Sequence, residues 1–182
     1  MSALLEKWAC GLDAIVETAG KIASWTGFAL VLVMAGNVLM RYAFHTGSVA
    51  MQELEWHLMS PLTLLCIAYT IKHEGHVRVD IFYARLPPLA RQVIDLISAL
   101  SVVALSIIII RLSWPYMMQS YRISEGSPDP GGLPYRFILK AMIPAGFALL
   151  LMQSLAATLR ALQPFFGGRG DAGAVQEPTN AA

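Results

Sequence analysis

Four apolar stretches, each closed at both ends by charge, constrain this 182-residue chain more than any other feature. Residues 22–40 lie between Lys21 and Arg41, 56–71 between Glu55 and Lys72, 92–110 between Arg91 and Arg111, and 141–159 between Lys140 and Arg160. A helix of about 20 apolar residues crosses the ~30 Å hydrocarbon core of a bilayer. The second stretch reaches that length only when the acidic turn before it is counted. Apolar residues make up 56% of the chain and charged ones 14%, against roughly 25% charged in a soluble domain. Mean hydropathy is +0.56. A chain this short cannot bury that much apolar surface in water, which excludes a soluble enzyme, and a disordered chain needs the opposite balance. The net charge of +1 leaves no basic excess for nucleic acid.

The expected fold is therefore an all-α integral membrane protein with four transmembrane helices. The spans fall at about 22–40, 54–71, 92–110 (helical on to 122) and 141–159. They belong to a single membrane domain over 1–162, followed by a disordered tail over 163–182 that is rich in Gly, Pro and small polar residues. Before the first span, Leu5, Trp8, Leu12, Ile15 and Val16 recur at helical spacing with Glu6, Lys7, Asp13 and Glu17 between them. That pattern suits an amphipathic surface helix rather than a cleavable signal. With four spans both termini share a side with the second connection, which gathers Lys7, Lys21, Lys72, Arg78, Arg85, Arg91, Arg160 and Arg169. The opposite side has Arg41, Arg111, Arg122, Arg136 and Lys140. The excess sets both ends in the cytoplasm. Cys10 and Cys66 stand alone and read as small apolar residues.

Polar residues at membrane depth need partners, and here they lie near span ends. Asn37 and Arg41 share one helix face, as do Glu53 and His57 (with Glu55 and Trp56 beside them) and Arg91 and Asp95. A transporter binds its substrate near the midplane, on broken helices, and no polar set falls there. These sets read as contacts to another subunit or to lipid headgroups. A stand-alone exporter would instead use Glu53 or Glu55 as coupling carboxylate. Against that, both acids sit in the first turns of their helix, where the dipole and water stabilise a charge. Haem at His57 would need a second imidazole inside the bundle, and His45, His73 and His76 fall in connections. His73-x-x-His76 lacks the further ligands of a metal site. Residues 127–134, Ser-Pro-Asp-Pro-Gly-Gly-Leu-Pro, read as a shaped turn. The stretch 112–122, with Trp114, Tyr116 and Tyr121, enters the interfacial aromatic belt.

The run Glu53-Leu54-Glu55-Trp56-His57-Leu58, followed by Lys72-His73-Glu74-Gly75-His76-Val77-Arg78-Val79-Asp80, resembles the small, DctQ-like membrane subunit of tripartite ATP-independent periplasmic (TRAP) transporters. So do Leu112-Ser113-Trp114-Pro115, the 126–134 loop and Lys140-Ala141-Met142-Ile143-Pro144, which are similar to the mannitol/chloroaromatic and 2-oxo acid branch. The likeness covers about 37–160. It implies a non-enzymatic subunit of a bacterial inner-membrane importer, without a cofactor or metal of its own. A periplasmic binding protein would deliver an organic acid to a large subunit of about twelve spans, which holds the substrate and sodium sites and moves as an elevator. This chain would be the four-helix scaffold beside it. On that resemblance Asn37, Arg41, Glu53, Glu55, Trp56, His76, Arg78 and Asp80 contact the large subunit or lipid, and Arg122 and Asp129 face the periplasm.

Overall fold

The computed structural model describes residues 2–73 and 86–166. They form four α-helices, α1 (Ser2–Ala43), α2 (Val49–Lys72), α3 (Pro88–Arg122) and α4 (Phe137–Phe166), with no strand among the described residues. Each apolar stretch lies inside one helix. α1, α3 and α4 are long and apolar enough to cross a membrane. α2 falls short on the same measure, because its 24 residues open with Glu53, Glu55 and His57 in the first turns.

Three of the helix ends follow local sequence signals, and one does not. Ser48 caps α2, its hydroxyl accepting the Met51 N–H at 3.4 Å. Pro88 opens α3, where a missing N–H costs nothing. α3 continues to Arg122 as expected, with Pro115 inside it. α4 runs to Phe166, past the expected start of the tail at Gln163, and the rest of that tail lies outside the described residues.

The amphipathic stretch and the first span are one unbroken helix of 42 residues. No proline interrupts it, and at the junction Lys21 bonds back to Glu17 at 3.1 Å. Val16 is fully buried and meets Ala68 of α2 and Leu150 of α4 in the bundle's core. Packing on both neighbours holds this half of α1 against the bundle.

α4 is the hub. It packs on α1, α2 and α3, α1 packs on α2, and α3 leans chiefly on α4. Two buried seams repeat every seven residues: Ala99, Ser106, Ser113 and Ser120 on α3, and Ala9, Val16 and Ala23 on α1, with Asn37 in the same register. A seven-residue repeat keeps a seam facing its partner as the helices wind left-handedly, crossing at about 20°. Small side chains on the α3 seam let α4 approach closely, which matters where lipid removes the hydrophobic drive. Ser106 and Ser113 donate to the Val102 and Ile109 carbonyls at 2.7 Å, so neither hydroxyl is left unpaired. The outward faces are apolar: Trp25, Phe28 and Leu39 on α1, and Ile97, Ile108 and Leu112 on α3, are exposed.

Candidate functional site: two polar networks at the ends of the bundle

One network is built around Glu53, which is 7% exposed. Its carboxylate accepts the Leu133 N–H at 2.6 Å and the Ser127 hydroxyl, and Arg136 stands 3.5 Å away. A single α2 side chain therefore holds the loop between α3 and α4. That loop closes on itself through Ser127 N–H to Leu133 O (3.1 Å), Gly132 N–H to Asp129 O (3.0 Å) and Arg136 N–H to Glu125 O (2.9 Å). Gly131 takes φ +82°, which glycine allows without strain. The shaped turn expected at 127–134 is thus a clasp with an internal carboxylate as its pin.

The same end carries two further ties. Asn37 donates to Glu55 at 2.9 Å, joining α1 to α2. Lys140 bonds Glu125 at 2.5 Å and stands 4.2 Å from the Tyr116 ring centroid, joining α4 to the loop and to α3. The Lys140 ammonium holds the Glu125 carboxyl below the usual carboxylate range. His57 Nδ1 lies 2.8 Å from the Glu53 carbonyl, an acceptor only, so that nitrogen carries the proton.

The second network lies at the opposite end. Glu17 accepts from Lys72 (2.7 Å), His73 (2.9 Å) and Lys21 (3.1 Å), and Asp13 pairs with Arg160. Lys72 also donates to the Asp13 carbonyl at 3.1 Å. Two acids one turn apart on α1 thereby bind α2 and α4. Glu17 and Asn37 are separated by about 30 Å of helix, Glu53 and Lys72 by about 28 Å, and Lys140 and Arg160 by about 30 Å. Both networks recur at the thickness of a hydrocarbon core.

Of the residues singled out in the sequence, Asn37 and Glu55 bond to each other, and Glu53 bonds separately to the α3–α4 loop. Arg41, Trp56, Arg122 and Asp129 are exposed, and of these Asp129 is tied into the clasp, its N–H donating to the Ser127 hydroxyl at 3.1 Å. Asp129 carries the turn bond from Gly132. His76, Arg78 and Asp80 lie outside the described residues. Sequence reasoning missed the Glu17 network. Its signal was present in the i, i+4, i+8 series Asp13, Glu17, Lys21, opposite the basic residues that close the second and fourth stretches. Among the described residues no group of three His, Cys, Asp or Glu gathers as a metal site.

The Glu17 network yields a direct expectation. Glu17→Gln and Lys72→Met should each lower the melting temperature in detergent by about 2–4 °C. The double variant should lose less than the sum of the two single losses, because the Glu17–Lys72 bond is shared while the bonds of Glu17 to His73 and Lys21, and of Lys72 to the Asp13 carbonyl, are not. Fluorescence-monitored melting of the four proteins checks this.

Residues 30–163 match the family described as tripartite ATP-independent periplasmic transporters, DctQ component. The chain is similar to the C4-dicarboxylate TRAP transporter small permease protein DctQ of Vibrio cholerae, 24% identical over 147 residues, which is 70% of this chain and 63% of that protein. It is also similar to a TRAP transporter small permease protein of Haemophilus influenzae, 26% identical over 100 residues, 54% of this chain and 62% of that one. The matched regions thus span under two thirds of each relative's length.

Proposed function

The chain belongs to the DctQ component family of TRAP transporters, and from that membership we propose that it is the fixed scaffold of a sodium-coupled importer of an organic acid. In this reading a periplasmic binding protein delivers the acid to a large membrane subunit. The large subunit moves substrate and sodium through the bilayer, while this chain anchors its static part and catalyses nothing. Both termini and the Glu17 network lie on the cytoplasmic side of the inner membrane, and the Glu53 clasp faces the periplasm. All four helices span. For α2 the support is the spacing of Glu53 and Lys72, which its composition alone does not supply. The turns of α1 before Asp13, with exposed Trp8, rest against headgroups.

The observation that carries the reading is the occupation of Glu53. A stand-alone exporter needs a carboxylate free to exchange a proton or cation, and Glu53 is committed to Ser127, Leu133 and Arg136. Glu55 is tied to Asn37. Polar groups that bind helices to one another at both membrane faces make a stiff body, which is what an elevator slides against. A slab held at two levels also resists tilting.

The test is a mild-detergent pull-down of the tagged chain from native membranes, with uptake measured in parallel. A stoichiometric partner of many spans is expected. Arg78→Ala and Asp80→Ala should lower its recovery and uptake together. A homodimer without a large partner would return the coupling role to Glu53 and Glu55.

A further inference from the structure

Arg111 stands on a side of α3 that nothing described in this chain covers. The seam toward α4 is Ala99, Ser106 and Ser113. Ile97, Ala104 and Arg111 each precede a seam residue by two positions, about 200° around the helix and so on the far side. All three are exposed. Around Arg111 the face is apolar, with Ile107, Ile108 and Trp114 exposed as well. Among the described residues Arg111 has no hydrogen-bond or ion-pair partner.

Its depth follows from the pairing of α3 with α4. Tyr116 sits under the Lys140 ammonium, which is tied to Glu125, and that layer marks the polar boundary. Arg111 lies about 7 Å below it. Helical side chains lean toward the helix N-terminus, which in α3 points away from this boundary and deeper into the apolar layer. Reaching up to a headgroup would work against that lean. A guanidinium held at such a depth is costly unless an anion meets it.

The geometry points to the Arg111 face of α3 as the contact for a membrane-embedded helix of the large subunit, one that presents a carboxylate at the same depth. This rests on the small-subunit reading. A carboxylate matches the planar guanidinium with two parallel hydrogen bonds. Apolar residues above and below seal the pair from lipid.

The experiment compares wild type, Arg111→Leu and Arg111→Lys in the full chain, expressed with the large subunit in native membranes. Recovery of the large subunit should fall about tenfold or more for Arg111→Leu, and less for Arg111→Lys, which keeps the charge but not the fork. The melting temperature of the isolated small subunit should not change, because Arg111 makes no bond among the described residues. A photo-crosslinking residue at position 108, one turn away, should yield an adduct with the large subunit. Undiminished recovery with Arg111→Leu, or adducts only with phospholipid, would overturn the proposal and leave the small-subunit reading standing. A wild-type chain that brings down no multi-span partner would overturn that reading itself.

Discussion

Replacing Glu53 by alanine is expected to lower the melting temperature of the chain in detergent on the order of 5–10 °C and to reduce recovery of the large subunit with it. The size follows from what the carboxylate leaves behind. Leu133 keeps a backbone N–H, Ser127 a hydroxyl and Arg136 a charge, and all three currently point at one side chain. Water reaches a 7% exposed position poorly, so those groups lose an acceptor without gaining another. The loop would then rest on its own internal bonds and on the Lys140–Glu125 pair. Glu53→Gln separates charge from shape: it keeps one acceptor oxygen and the volume, and should lose about half as much. The order wild type, Gln, Ala in melting temperature is the result to look for. Equal melting of all three would mean that the clasp does not depend on its pin.

The sequence announced the helices but not their partners. Charge-bounded apolar runs mark helices because a bilayer imposes one length on every crossing helix, and the four helices fall on the four runs, three of them long and apolar enough to cross. The end of α3 at Arg122 was legible for a similar reason: the aromatic residues Trp114, Tyr116 and Tyr121 continue a helical pattern until Gly126 and the prolines break it. Glu53 was visible as an acid near a helix end. What sequence spacing could not reveal is that its partners lie 74 and 80 residues away, since a loop's closure depends on where two helices place its ends. The Glu17 network escaped for the same reason, Lys72 being 55 residues distant. Alternating charge along α1 fits an interfacial helix and a helix stitched into a bundle equally well. The burial of Ala9 and Val16, and the ion pairs of Asp13 and Glu17 to the neighbouring helices, separate the two.

Gly146→Ala should destabilise the chain by about 1–3 kcal/mol, against the direction that helix propensity predicts. Alanine is a better helix former than glycine by about 0.5–1 kcal/mol, and a helix interior is where that gain is normally collected. At position 146, however, a Cβ would stand 2.7 Å from the Leu64 carbonyl oxygen and 2.9 Å from its carbon. Those are backbone atoms of α2 and cannot swing aside as a side-chain tip would. The two helices must separate, and α4 is the hub on which the other three pack. Gly36→Ala provides the contrast on α1. The nearest atom to a Cβ there is the Met51 Cε, 3.8 Å away, so propensity should prevail and the variant should be neutral or more stable. Opposite signs for one chemical change in two spanning helices would identify the α2–α4 contact as a place where backbone meets backbone. Equal signs would mean that α4 can shift to admit a methyl group, and with it that the hub is looser than its packing indicates.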